Sequence, residues 1–322
     1  MTLATSFTEL VGCQFPVQQA GMGGASTPEL AAAVSNAGGL GMLTVSGNVL
    51  ADVRTALAAA PMRPVGINFL MPFFEPALLE AVAPLVRLVD WFWGQPDPEL
   101  VGIAHDAGAL AAWQVGTRDE AVAAADAGCD MIIAQGIEAG GHVRGTIGLL
   151  PLLDAVLGAV EVPVVAAGGI GTGRSLAAVL AAGASAARIG TRFVATLESG
   201  AHPSYKEALV SAQAGDTVLT QAFGVWWPDA PHRVLRSAVE SAEALEDDQA
   251  GHVERAGEPV PIPRFAVAPP DRATHGRIDA MALYAGQSVG AVTGIPPAAE
   301  VLREIVTEAE QLLSRHDDRA RS

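Results

Sequence analysis

Residues 162–192 read VPVVAAGGIGTGRSLAAVLAAGASAARIGTR, and the order of residue types in this stretch decides the fold. A short β-branched run (162–167) meets Gly168-Gly169, an Ala/Leu-rich stretch (173–182) follows, Gly183 ends it, and a second apolar run (187–190) closes at Gly190-Thr191-Arg192. Short β-branched runs bounded by glycine read as strands, and the Ala/Leu stretch between them is long enough for a helix. Strand, helix and strand at this spacing form a parallel βαβ unit. Gly183 supplies the left-handed stop that lets the next strand begin at once.

The same unit repeats outward along the chain. Strands are expected at 17–20, 40–45, 64–69, 88–93, 110–115, 130–135, 162–167 and 187–190, with helices at 28–37, 51–60, 97–107, 118–127, 149–159 and 173–182. Thr27 caps a helix whose first position is Pro28, and Thr117 precedes Asp119 and Glu120, which suit a positive helix end. An open doubly wound sheet carries one glycine turn after its first strand; here glycine clusters recur after the first, sixth, seventh and eighth strands. Eight such units in about 200 residues predict an α/β chain folded as a (β/α)8 TIM barrel.

The regularity stops near His202. Residues 214–278 hold prolines, tryptophans and an acidic run (240–248), and read as an inserted, partly helical subdomain on the substrate side; 1–213 with 279–322 make up the barrel and C-terminal helices. Helix is expected again at 279–284 and 297–313. Phe223, Trp226 and Trp227 are expected to cover the pocket and limit substrate size.

Composition narrows the function. Half of the 322 residues are hydrophobic, mean hydropathy is +0.32, and 19 Lys+Arg against 35 Asp+Glu leave a formal charge of −16. That balance argues against nucleic acid and against an anionic membrane surface. No apolar run approaches the ~18 residues of a membrane span, and the first ten residues lack the pattern of a signal peptide. Two cysteines, Cys13 and Cys129, are too few for a disulfide framework. A cytoplasmic enzyme is the expectation.

A barrel's active site lies at the C-terminal ends of its strands. Those positions hold Gly21-Met22-Gly23, Asn68, Gln114, the segment from Gln135 to His142, Ala167-Gly168-Gly169 and Gly190-Thr191. Glycine turns after the seventh and eighth strands expose backbone N–H groups, so they suit a phosphate monoester, with Thr191 as an added hydroxyl donor. Plain tight turns are the alternative for the same glycines. His142, carried by Gly140-Gly141, can exchange a proton at the barrel mouth, or else simply pack there. Glu138 orients that loop or is an exposed charge. Asn68 and Gln114 can address a heteroaromatic ring edge, or neighbouring loop backbone. Trp91, Phe92 and Trp93 wall a pocket or pack between strand and helix. The remaining histidines, His252 and His275 among them, lack metal-ligand spacing, so no metal is expected. Lys206, the only lysine, is expected in a helix away from the barrel strands.

Taken together, the segments 16–24 with 26–31, 35–41, 66–68, 135–142, 167–170, 190–193 and 284–288 resemble the nitronate monooxygenase family, the 2-nitropropane dioxygenase-like flavoproteins. The resemblance implies a TIM barrel that holds non-covalent FMN. Gly21, Met22 and Gly23 would flank the isoalloxazine; Asn68, Gln114 and Gln135 would address its polar edge or the ribityl chain. Gly140, Gly141, Ala167, Gly168, Gly169, Gly190 and Thr191 would surround the phosphate. Gln287 and Ser288 would return to the cofactor from the C-terminal helices. His142 matches the family's active-site histidine. The implied reaction is oxidation of alkyl nitronates or nitroalkanes with O2 to a carbonyl compound and nitrite, with His142 as base or hydrogen-bond donor. A homodimer is the assembly to expect. The same architecture serves NAD(P)H-dependent reductases of quinones or enoyl thioesters, and a non-catalytic FMN-binding protein or a cofactor-free barrel for a phosphorylated metabolite are the other readings.

Overall fold

A computed structural model describes residues 3–45 and 47–321, with the side chains of the last helix described to residue 315. The strands are β1 (Val17–Gln19), β2 (Gly41–Thr44), β3 (Val65–Leu70), β4 (Leu88–Phe92), β5 (Leu110–Val115), β6 (Met131–Gln135), the two-residue β7 (Gly141–His142), β8 (Val164–Ala167) and β9 (Ala186–Ile189). All except β7 form one parallel sheet in the order β1-β9-β8-β6-β5-β4-β3-β2, and a parallel bridge between Gln18 and Leu40 joins its two edges. This is the expected (β/α)8 barrel, and each expected barrel strand is present.

Local chemistry sets the helix starts. Thr27, Asp97, Thr117 and Thr172 each accept a hydrogen bond from a first-turn N–H of the helices Pro28–Asn36, Pro98–Asp106, Arg118–Asp126 and Gly173–Ala181. Beyond the last of these, Gly183 takes φ +105°, the stop expected there.

Side chains alternate across the barrel wall. Outward residues such as Ile67, Trp91, Trp113 and Ile132 pack against the helix ring, with Trp91 stacked on Trp113 at 5.3 Å. Inward residues Met42, Leu88, Ala112, Met131 and Val165 meet Phe7 and Val11 of the first helix (Ser6–Val11), which plugs the N-terminal end. Further along each strand the inward positions turn polar: Asn68, Asp90, Gln114, Gln135 and Arg188 are all buried near the C-terminal ends. The floor of a site is thus built into the strands.

The regular structure within residues 214–278 is mainly strand. β10 (Thr217–Thr220) and β11 (His232–Leu235) join β7 in an antiparallel sheet; β12 (Gln249–Arg255) lies between β13 (Glu258–Pro263) and β14 (Thr274–Gly276) in another. Three prolines of β13 are tolerated because it is an edge strand. The one helix of more than a turn here is Arg236–Glu243. A second core, including Phe223, Val234 and Ala238, draws on Tyr205 and Leu209 before this segment and on Met281 and Leu283 after it. The helix expected at 279–284 is not formed. Only a short turn, Ile278–Ala280, is helical, because the Leu235 N–H donates to Leu283 O and Val234 bridges Tyr284, which holds the backbone extended. Helix does resume at Ala298–Arg321. Among the described residues, no helix is long and apolar enough to cross a membrane.

Candidate active site

A cavity of about 410 Å³ opens at the C-terminal ends of the barrel strands. Of the residues expected there, Gly21, Met22, Gly23, Asn68, Gln114, Gln135, Gly140, Gly141, His142, Ala167, Gly168, Gly169, Gly190, Thr191 and Ser288 line it. Gln287 does not. Its side chain is exposed, and its backbone N–H donates to Glu138 O at 2.9 Å; the segment Gln287–Ala291 is a 3-10 turn that presents Ser288 to the cavity instead.

The polar floor is a connected set. Arg188 pairs with Asp90 at 2.9 Å, both almost fully buried, and the Asn68 amide donates to the other Asp90 oxygen. Burial pushes the Asp90 carboxyl above the usual carboxylate range, while the Arg188 guanidinium and the Asn68 amide pull it back down. Asn68 is therefore committed to Asp90. Arg188, which lines the cavity, brings a fixed positive charge to it. Gln135 is likewise committed: its amide nitrogen donates to His142 O at 2.9 Å and its oxygen accepts from the Arg144 N–H.

The loop after β6 is held from three sides. Glu138 accepts from the N–H of Leu149, the first residue of the following helix (Leu149–Leu157), at 3.0 Å, so it does orient the loop. Arg233 donates to Ile137 O at 2.8 Å. β7 pairs with β11, setting His142 opposite His232. Thr191 Oγ1 accepts from Gly286 N–H at 2.9 Å, and a Cβ on Gly140 would collide with Gly286 N. Only glycine fits where these two loops cross.

His142 sits in an aromatic cage. Its ring stacks on Trp227 at 3.8 Å with 17° between planes and meets Trp93 edge-on at 5.8 Å; His232 and Tyr284 stand at 5.3 and 5.6 Å. Nε2 is buried and has no hydrogen-bond partner. Burial, with a smaller contribution from the neighbouring His232, pushes the imidazole down to about 3. His232 is held neutral too: its Nδ1 meets Ala230 O at 2.8 Å while Nε2 accepts from Phe223 N–H. Trp93, a ring of the cage, at φ +70° and Trp226, the sequence neighbour of Trp227, at φ +76° are strained for residues with a Cβ.

The three aromatic residues expected in the cover part company. Trp227 lines the cavity, Phe223 is buried in the second core, and Trp226 is 55% exposed. Of the earlier aromatic run, Phe92 lines the cavity, Trp93 contacts the cage and Trp91 packs against the helix ring. Lys206 lies in the helix Pro203–Ser211, as expected, donating to Thr196 O and Ser199 O at 2.7 Å.

A family model described as nitronate monooxygenase matches residues 4–83 and 77–308. The chain belongs to the nitronate monooxygenase family. It is 33% identical to a nitronate monooxygenase of Pseudomonas aeruginosa (strain PAO1) over 94% of this chain and 98% of that one. It is 37% identical to (3aS,4S,5R,7aS)-5-hydroxy-7a-methyl-1-oxo-octahydro-1H-indene-4-carboxyl-CoA dehydrogenase of Rhodococcus jostii (strain RHA1), over 73% of this chain and 67% of that one. Among solved structures, FabK of Thermotoga maritima superposes with a TM-score of 0.79 at 31% identity, covering 98% of this chain and 99% of that one. The protein is an oxidoreductase-type enzyme of this nitronate monooxygenase family, and its cavity stands where a barrel enzyme keeps its site.

Proposed function

We propose that the protein oxidises alkyl nitronates with O2, using FMN held in the barrel mouth, and releases a carbonyl compound and nitrite. The observation that carries this reading is His142, caged and unpartnered at Nε2, on the wall of a glycine-lined cavity.

The residues present suit a phosphorylated, planar cofactor. A cavity of about 410 Å³ lies within the roughly 300–1,000 Å³ of small-molecule sites. Gly140, Gly168, Gly169 and Gly190 leave one wall bare of side chains, so a phosphate can reach backbone N–H groups, with the Thr191 hydroxyl beside them. Gly21, Met22 and Gly23 would lie along the ring system; Gln114 and Arg188 would meet its polar edge, and Ser288 would approach from the C-terminal turn. Bound FMN would supply the electron acceptor for the nitronate and the donor to O2.

The chain's own contribution is orientation and charge. Trp227 and Trp93 exclude water from His142, whose ring stays neutral, with an N–H on one nitrogen and a lone pair on the other. A base held near 3 accepts a proton from carbon poorly, so the cage favours the preformed anionic nitronate over the neutral nitroalkane. An anion beside the ring also strengthens the N–H as a donor. Residues 214–278 provide the substrate-side cover, with Trp227, Arg255, Val267 and Pro269 on the cavity. Both thiols are pushed up to about 12, chiefly by burial, which removes them as nucleophiles. A homodimer is part of the same proposal.

The test is aerobic turnover. Oxygen uptake with nitrite release on adding alkyl nitronate, and none with NADH or NADPH alone, is the expected result. Rapid flavin reduction by NADH with no response to nitronate would assign the site to a reductase instead.

A further inference from the structure

On the outer face of the cover lies a cluster that the proposed reaction does not use. Side chains alternate along β12: Val253 packs into the second core and Arg255 reaches the cavity mouth, where it pairs with Asp271 at 2.6 Å. His252 and Glu254 therefore share the opposite, solvent-facing side. β14 runs antiparallel to β12 and places His275 directly across from His252, with rings 5.2 Å apart and 29° between planes. Glu254 Oε1 lies 3.5 Å from His252 Nε2. One donor atom from each of the three residues falls within 4.8 Å of the others.

We propose that His252, Glu254 and His275 bind a borderline divalent transition-metal ion, for which Zn²⁺ is the test ion. Two imidazole nitrogens and one carboxylate oxygen suit such an ion, whereas Mg²⁺ and Ca²⁺ prefer six or more oxygens. Bonds of ~2.0–2.1 Å in a tetrahedral site put donors ~3.3 Å apart, so donors that lie within 4.8 Å of one another must close in by up to about 1.5 Å. His252 and Glu254 are 38% and 43% exposed and can make that rotation. The backbone needs no change, because the pairs Gly251↔Gly276, His252↔His275 and Val253↔Thr274 already fix the strands. Three protein ligands leave a fourth position for water. Asp271 is committed to Arg255, and His202, which stands near His275, already accepts from Ser204 N–H through Nδ1 at 3.1 Å. Ligand spacing along the sequence hides such a site, because the third ligand arrives from a different strand.

The site and the cavity mouth are two faces of one ribbon. An ion on the outer face would tie β14 to β12 directly behind Arg255.

Zn²⁺ titration of the untagged, flavin-loaded full chain by isothermal calorimetry tests this. One ion per chain, bound tighter than about 10 µM, is expected, and millimolar Mg²⁺ should not displace it. His252→Gln and His275→Gln should each weaken binding at least about tenfold. Binding should also weaken as pH falls, since the ligands must be unprotonated. Unchanged melting temperature in EDTA would show that the variants keep the fold. Should either variant melt low, the exposed Glu254→Gln carries the test, with weaker Zn²⁺ binding expected. No binding, or binding that survives the ligand substitutions, would overturn the proposal.

Discussion

Replacing Arg188 with Met removes one half of a buried ion pair and leaves the other. Asp90 is fully buried, and its remaining partners are the Asn68 amide and a long 3.5 Å contact from Gln18. Breaking a buried pair by removing one partner costs about 3–5 kcal/mol, because an uncompensated charge stays inside. For a chain of this length each kcal/mol moves the midpoint by roughly 2 °C, so a fall of roughly 6–10 °C is expected. The deficit should depend on pH. Without Arg188 the folded Asp90 carboxyl rises further above its unfolded value, so the folded state gains a proton first; the deficit is smallest in weak acid and grows as pH rises. Asp90→Asn in the same chain should return most of the loss, since no buried charge remains. The assay is thermal unfolding of the apo and flavin-loaded proteins between pH 5 and 8. A single variant within 2 °C of the parent, or a deficit that shrinks as pH rises, would refute the reasoning.

Four further outcomes follow from the cage and the glycine wall. His142→Gln should lower kcat/KM for nitronate by about 10–10², the loss of a hydrogen bond to a charged group, while bound flavin is retained; flavin loss with normal kcat would contradict the role given to the ring. Because His142 is held to about 3, its neutral form prevails above that value, so kcat/KM with preformed nitronate should show no limb from this residue between pH 5 and 8; a limb near 6.5 that vanishes in His142→Gln would show an accessible imidazole. Trp227→Ala empties the buried space beside His142, so thermal unfolding should show a loss of about 3–5 kcal/mol, and KM for small nitronates should rise in steady-state kinetics; a parent-like melting temperature with unchanged KM would contradict the cage. Gly140→Ala drives a Cβ into Gly286 N, and flavin content measured by absorbance should fall sharply.

The barrel was legible because its signals are local. Short apolar runs, threonine or aspartate caps and glycine stops each act within a few residues, and their alternation implies the parallel sheet. The ion pair between Asp90 and Arg188 was not legible: each is one charge inside an apolar strand, and ring closure alone brings them together. That a lone charge interrupts an otherwise apolar strand was the available signal. Phe223, Trp226 and Trp227 look alike in sequence, and only the loop's backbone turns one of them onto His142. The segment Met281-Ala282-Leu283 has the composition of a helix but is drawn out by hydrogen bonding to β11, a long-range contact that overrides local preference. Gln287 and Ser288 are neighbours whose roles are divided by a 3-10 turn that only the assembled barrel reveals.

The most direct test of the account is the visible spectrum of the flavin-loaded protein under anaerobic conditions as an alkyl nitronate is added. Loss of the oxidised-flavin band is expected in the parent, and a much slower loss in His142→Gln. A flavin band that ignores nitronate, or one that bleaches at the same rate in both proteins, would contradict it.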